Sequence, residues 1–234
     1  MKISHRNSGE LLEIKLGDLS WFKLLAPPTL SPSQSEAICR WIASCWDKMP
    51  GGMLSTIELP KIFTQPQGDR VCFYPGSFNP WHEGHSECVR QVIRPLVIVP
   101  DANPWKDQTT REFNFNSAVE LAKKLPQDCA IYLGFLHLNE GNPTASWLPQ
   151  TKWGQRYIAM GADNFVTFEK WKNLQLLTES LKGIYVIPRM LSNEELLKKK
   201  NELNEIYENL EIEILQNHAF ENLASSQLKK RETP

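Results

Sequence analysis

The apolar positions of the chain fall into two recurring patterns. Short apolar runs lie at 71–74, 96–99, 130–135, 155–160, 184–187 and 211–215. Their length predicts strands, the first of them buried and stopped by the turn residues Pro75 and Gly76, the second ended by Pro100. Between these runs the apolar spacing becomes helical. It does so from Gly84 through Cys88, Val89, Val92 and Ile93, again over 115–125, and again from the turn at Gly161 to Trp171. A long charged helix is predicted over 192–210, opened by a capping box of Ser192 and Glu195 and striped by Leu196, Leu203, Ile206 and Leu210. A final helix is predicted over 221–231. The stretch 136–154, rich in Asn, Gly, Pro and Trp, is long for a loop, and loops of that length usually carry function or move.

Strands separated by helix-length connections predict an α/β domain: a Rossmann-like open parallel sheet with helices on both faces. That domain takes in residues 69–234, and residues 1–68 form an N-terminal extension. In the extension, 11–25 is apolar-rich with a turn at Gly17-Asp18, and Ala26-Pro27-Pro28 is a breaker. Ser33 and Glu36 then form a capping box ahead of Ala37, Ile38, Trp41, Ile42, Cys45 and Trp46 at helical spacing, ended by Pro50-Gly51-Gly52. The extension is too short to fold alone with ease. It is expected to pack on the larger domain or on another copy of the chain in a homo-oligomer.

Composition narrows the partners. With 41% hydrophobic residues in 234, the chain can bury a substantial core. A net charge of −1 argues against a surface for nucleic acid, whereas a small phosphorylated substrate needs only local positive charge. No apolar run approaches the length of a membrane span, and residues 1–10 lack a signal-peptide core, so a cytoplasmic protein is expected. The five cysteines are scattered without a C-x-x-C pair, which suits a reducing compartment. Histidines and cysteines do not cluster at ligand spacing, so no protein-held metal site is expected.

The chemistry concentrates in Tyr74-Pro75-Gly76-Ser77-Phe78-Asn79-Pro80-Trp81-His82-Glu83-Gly84-His85. A strand, a tight turn and a helix start present free backbone N–H groups and a positive dipole end to an anion. Gly76 allows close approach of a ligand to the backbone. His82 and His85, three apart, share a face of the helix start and can donate to phosphate oxygens. Either histidine alone would more simply cap or pack; the combination points to a phosphate site. The turn Gly161-Ala162-Asp163-Asn164 follows another strand, so both turns lie at carboxyl ends, where open parallel sheets bind ligands. Asp163 is read as the N-cap of the helix running to Trp171, and as able to bind a ribose hydroxyl at the same time.

This loop resembles the HxGH signature of the nucleotidyltransferase superfamily, Gly-(Thr/Ser)-Phe-(Asp/Asn)-Pro-x-His-x-Gly-His. The stretches Gly161 to Phe165, Phe168, Trp171 and Ile184 to Arg189 are similar to those of nicotinate or nicotinamide mononucleotide adenylyltransferases. The resemblance runs from about Arg70 to Arg189, more weakly to the C-terminus, and leaves out the extension. It implies adenylyl transfer from ATP to the mononucleotide in NAD biosynthesis, with Mg²⁺ accompanying ATP. It implies catalytic His82 and His85, and ATP contacts from Gly76, Ser77, Phe78, His82, His85, Gly161, Asp163, Ser225 and Ser226. It implies acceptor contacts from Asn79, Lys106, Trp171 and Arg189. The family's C-terminal phosphate motif is represented here by Ser225-Ser226-Gln227-Leu228-Lys229-Lys230, with Lys229, Lys230 or Arg231 as its cation.

Several alternatives stay open on the residues alone. Lys106, in Pro104-Trp105-Lys106, is a phosphate ligand or a solvated loop lysine. Trp171 is a wall for a pyridine ring or part of the core. Trp147, in a loop reading Thr144-Ala145-Ser146-Trp147 where the family often has Ser-Tyr-Thr, and Trp153 are lid or acceptor contacts, or loop anchors. For the whole chain, the alternatives are another acceptor within the superfamily and a non-catalytic nucleotide-binding protein.

Overall fold

A computed structural model describes residues 3–8, 11–16, 22–25, 68–78, 80–100, 121, 124–126, 129–131, 143–151, 153–189 and 191–220. The helices expected at 33–46 and 221–231 and most of that at 115–125 lie outside these residues, as do Asn79, Trp105, Lys106, Ser225, Ser226, Lys229, Lys230 and Arg231.

The N-terminal segments form a sheet of their own. Strands β1 (Ile3–Ser8), β2 (Leu11–Leu16) and β3 (Phe22–Leu25) pair antiparallel in that order. Gly17 and Asp18, where a turn is expected, lie outside the described residues. Strand β1 has no apolar alternation to announce it. Its register, Ile3 opposite Leu16 through Ser8 opposite Leu11, comes from pairing with β2.

The larger sheet contains β4 (Arg70–Gly76), β5 (Leu96–Pro100), β6 (Cys129–Ile131), β7 (Gln155–Gly161), β8 (Gly183–Ile187) and β9 (Glu211–Ile214). All pairings are parallel, in the order β6-β5-β4-β7-β8-β9. The chain builds outward from β4 in one direction, then returns to β7 and builds outward in the other. The strand order therefore reverses between β4 and β7, the place where a doubly wound sheet opens a crevice beyond its carboxyl ends. β5 and β8 are buried along their whole length, as strands covered on both faces must be. This is the Rossmann-like α/β sheet that the apolar runs predict.

Helices α1 (Glu83–Gln91), α2 (Thr144–Trp147), α3 (Ala162–Val166), α4 (Leu174–Ser180) and α5 (Asn193–Ile206) connect or flank the strands, with single 3₁₀ turns at Leu148–Gln150 and Phe168–Lys170. The capping box at α5 forms as expected: the Glu195 N–H donates to the Ser192 hydroxyl at 3.2 Å, and the Ser192 N–H donates to the Glu195 carboxylate at 2.9 Å.

Two expectations change. The single helix from Gly161 to Trp171 is broken: α3 ends at Val166, and Trp171 closes the following 3₁₀ turn. Its N-cap is Gly161, so Asp163 stands inside the first turn rather than capping it. The break has a local cause. The Thr167 hydroxyl bonds back to the carbonyls of Asp163 and Asn164 at 3.1 and 3.2 Å, and buried Phe168 turns into the core.

Trp147 and Trp153 prove to be anchors. Both are buried and meet the ring of Phe73 edge-on, at centroid distances of 5.2 and 5.7 Å. Much of the stretch read as a loop is thus tied to the core beneath β4. Removing a large buried aromatic costs about 3–5 kcal/mol. Trp147→Ala should lower the denaturation midpoint accordingly, and Trp147→Phe should lower it less. A midpoint unmoved by Trp147→Ala would show an indole that covers no core.

Candidate active site

The segment between β4 and α1 is shaped by one wedge. Phe78 has φ 45°, a left-handed conformation unusual for a bulky side chain, yet its ring is 97% buried. It lies edge-on to Tyr74 at 5.0 Å and to His85 at 5.3 Å. Gly76 makes room for it: a Cβ there would come within 2.8 Å of the Phe78 ring. The space left by that glycine belongs to Phe78, where the sequence suggested space for a ligand.

His82 is the N-cap of α1, and His85 is its third residue. Their rings stack at 3.7 Å between centroids, inclined by 25°. The His82 backbone N–H donates to His85 Nδ1 at 3.3 Å. That fixes the His85 tautomer: with Nδ1 accepting, the neutral ring carries its proton on Nε2. Trp81, Phe78 and Tyr74 surround His85, and Trp81 is itself held by donation of its indole N–H to the Ser86 hydroxyl at 2.9 Å. His82 is 91% buried, and neither of its ring nitrogens has a hydrogen-bond partner among the described residues. Burial, then the nearby charges of Arg189 and His218, push its pKa down to about 4. At neutral pH it is an uncharged imidazole with one donor and one acceptor and nothing to bond. Such buried polar atoms are uncommon and mark a place made for something else.

The cleft in front of this pair is open to solvent, with about 220 Å³ of free space including that open side, and is lined in part by Tyr74, His82, His85, Arg189 and His218. Every lining element arrives at the carboxyl end of a strand: α1 after β4, Arg189 after β8, and His218 and Phe220 after β9. A strand-end cleft with two stacked imidazoles, one of them unsatisfied, and one guanidinium can bind a chain of phosphates and neutralise charge that develops on it.

The family model for cytidylyltransferase-like proteins matches residues 73–231, which takes in the whole cleft. The chain belongs to the cytidylyltransferase-like family. It is a nucleotidyltransferase. Among curated proteins it is 30% identical over 131 residues to one from Methylorubrum extorquens named "Probable nicotinate-nucleotide adenylyltransferase", covering 51% of this chain and 70% of that one. Proteins of the same name from Maridesulfovibrio salexigens and Flavobacterium johnsoniae are 26% and 24% identical, over 47% and 56% of this chain. The match spans 56% of the length of the Maridesulfovibrio protein and 74% of the Flavobacterium one. A crystal structure of a Vibrio parahaemolyticus protein, also named for nicotinate-nucleotide adenylyltransferase activity, is 15% identical, with a TM-score of 0.38 over 70% of this chain and 93% of that one.

In this nucleotidyltransferase the second turn is built around a carboxylate. A Cβ on Gly161 would meet Asp163 Oδ1 at 2.5 Å and the Arg189 side chain at 3.9 Å. Gly161 therefore lets the Asp163 carboxylate fold over the end of β7, near Arg189. The sequence named Arg189 as an acceptor contact; the fold puts it in the same cleft as His82 and His85. Trp171 does not line that cleft. It is partly buried against Phe168, edge-on at 5.3 Å. Ser77 sits at the mouth of the loop, half-buried.

Three residues in the cleft carried no signal the sequence analysis used. Tyr74 was read as part of a strand. Its hydroxyl meets the Cys88 sulfur, and burial holds its pKa well above the usual range. The Cys88 thiol also donates to the Gly84 carbonyl at 2.9 Å and is pushed by burial up to about 12, so it is not a reactive thiolate. His218 lies after the last parallel strand, and that position was the available signal.

Because the folded pKa of His82 lies below the usual 6.5, the unfolded chain takes up its proton first as pH falls. This contribution to stability is complete above about pH 6.5 and is lost as pH falls toward about 4. The melting temperature of the wild type should therefore drop across that interval more than that of His82→Gln. Parallel profiles would show that His82 is not held neutral.

Proposed function

We propose that the chain transfers the adenylyl group of ATP to nicotinate or nicotinamide mononucleotide, giving the dinucleotide and pyrophosphate. The observation that carries this reading is the stacked, buried His82–His85 pair, aimed into a strand-end cleft with two unsatisfied ring nitrogens. The names of the curated relatives supply the acceptor.

In this reaction an oxygen of the acceptor's 5′-phosphate attacks the α-phosphorus of ATP. A new P–O bond forms, the bond to the bridging oxygen between the α- and β-phosphorus breaks, and pyrophosphate leaves with that electron pair. The attacking phosphate is already ionised near neutral pH, so no strong base and no covalent intermediate are required. The protein's work is alignment and charge stabilisation. His85, with its proton on Nε2 and its ring fixed by Phe78 and Trp81, is the donor that supports charge growing on the α-phosphate. His82 gains in the complex the hydrogen bonds it lacks without a ligand. Arg189 supplies the fixed positive charge.

Mg²⁺ would neutralise the triphosphate and help orient it. Among the described residues no three His, Cys, Asp or Glu side chains are grouped to hold a metal, and the Asp163 carboxylate lies over Gly161 near Arg189, which lines the cleft. That donor set fits a cation carried in on the phosphates, which Asp163 would help to hold. Asn79, Lys106, Ser225 and Ser226 keep the roles suggested by the family pattern, the first two toward the acceptor and the serines toward the triphosphate.

The test is pyrophosphate release from ATP with a panel of acceptors. Turnover with a mononucleotide supports the proposal. Turnover with only a different phosphorylated acceptor would keep the chemistry and change the substrate. No turnover with any acceptor would favour a nucleotide-binding protein. Loss of one preorganised donor at a developing anion costs about 100-fold in rate. His85→Ala should lower kcat by about that factor while weakening ATP binding far less, and a folded variant at wild-type rate would contradict the role. Trp171 discriminates acceptor contact from core: Trp171→Ala should raise KM for the mononucleotide several-fold at unchanged KM for ATP, whereas a purely packing residue should lower thermal stability and leave the ratio of the two KM values alone.

A further inference from the structure

The chain does not leave the sheet when β9 ends. The Leu215 N–H donates to the Val186 carbonyl at 2.9 Å, which prolongs the pairing with β8. The next residue is caught by α1. Gln91 closes that helix, and its side-chain amide behaves like a strand neighbour: its Oε1 accepts from the Gln216 N–H at 2.7 Å, and its Nε2 donates to the Gln216 carbonyl at 3.3 Å. Two bonds in opposite senses fix both the position and the direction of the backbone. Beyond this clamp the chain crosses back over the start of α1. The Phe220 carbonyl rests on Gly84, where a Cβ would come within 3.1 Å of it. Between the two fixed points stands His218, which lines the same cleft as the stacked pair.

One hydrogen bond sets the orientation of the His218 ring and the tautomer of its neutral form. The Phe220 N–H donates to its Nδ1 at 3.1 Å, so the neutral ring carries its proton on Nε2. A cleft already holding two imidazoles and an arginine thus receives a third imidazole from the far end of the domain. No part of the HxGH loop or the serine motif includes it. Simple packing would place a half-buried histidine anywhere on the surface of the strap. Here the strap is pinned on both sides of it, and both pins, Gln91 and Gly84, belong to the helix that His82 caps and that carries His85.

We infer that His218 is a third phosphate-binding histidine, an Nε2–H donor to the phosphate chain of the nucleoside triphosphate, delivered by a strap whose register Gln91 sets. The inference rests on the adenylyl-transfer reading. His218 binds the triphosphate; Gln91 acts only through the strap and is a positioning residue.

The test measures binding by the full-length chain, without turnover, using Mg²⁺–ATP and adenosine as two probes. A hydrogen bond to a charged group corresponds to roughly tenfold or more in affinity. His218→Ala should weaken Mg²⁺–ATP binding about tenfold and leave adenosine, which has no phosphates, unchanged. His218→Gln, whose amide nitrogen reaches the position of Nε2, should recover most of the loss. Gln91→Ala should weaken ATP in the same sense, and the double variant should be no worse than His218→Ala, since both act through one contact. Unchanged or tighter ATP binding in His218→Ala overturns the inference; tighter binding would mean that the strap obstructs the cleft. Equal losses for ATP and adenosine also overturn it, as the sign of a structural role. A wild type that binds no nucleoside triphosphate removes the adenylyl-transfer reading along with it, whereas wild-type binding beside an unaffected His218→Ala removes this inference alone.

Discussion

A neutral histidine stacked on another and buried with nothing to bond is the constraint around which this site is arranged. His82 and His85 lie 3.7 Å apart, a distance that two imidazolium rings would resist. The stack is therefore tenable only while charge is kept low. Burial keeps it so for His82, whose pKa falls to about 4. The backbone bond into His85 Nδ1 completes the arrangement by assigning the proton to the other nitrogen. Both rings are then ready to meet an anion without first rearranging, which is what makes preorganised donors effective. The cost shows in Phe78, forced to φ 45° so that its ring can brace His85.

The sheet explains why these parts meet. Its order reverses between β4 and β7, and the described cleft residues come from segments that follow β4, β8 and β9. The three segments lie far apart in sequence. Arg189 and His218 reach His82 because parallel strands deliver all their carboxyl ends to one edge. The buried strands, the two tryptophans on Phe73 and the capped helix α5 keep that edge rigid.

Sequence legibility followed the range of the forces involved. Strands β4, β5, β7 and β8 were legible because each is a continuous apolar run between turn residues, and the boundaries moved by at most two residues. The α5 capping box was legible because its interaction spans three residues. The histidine pair was legible as a motif, and its spacing does place both rings on one face. Contacts across the fold were not legible. Apolar periodicity continued past Val166, but the helix breaks where Thr167 bonds backward and Phe168 enters the core. Trp147 and Trp153 sat in a polar loop sequence, and only the approach of Phe73 from β4 shows them to be core. Gly76 announced a close approach, but the group approaching is Phe78, two residues on. His218 could be found only after the last strand was seen to end at the same edge as the first.

The central claim is that this cleft binds phosphate beside a His82 imidazole kept neutral without it. Binding an anion must then raise the pKa of His82, so protons should be taken up as ATP binds. The direct measurement is calorimetric titration of Mg²⁺–ATP between pH 5 and 6 in buffers of different ionisation enthalpy, which yields the protons exchanged per ATP bound. Subtracting the value for His82→Gln removes the ligand's own titration. The account predicts that the wild type takes up a fraction of a proton more than the variant, and that the excess shrinks as pH rises. Identical proton exchange in the two proteins, with ATP bound by both, would contradict it.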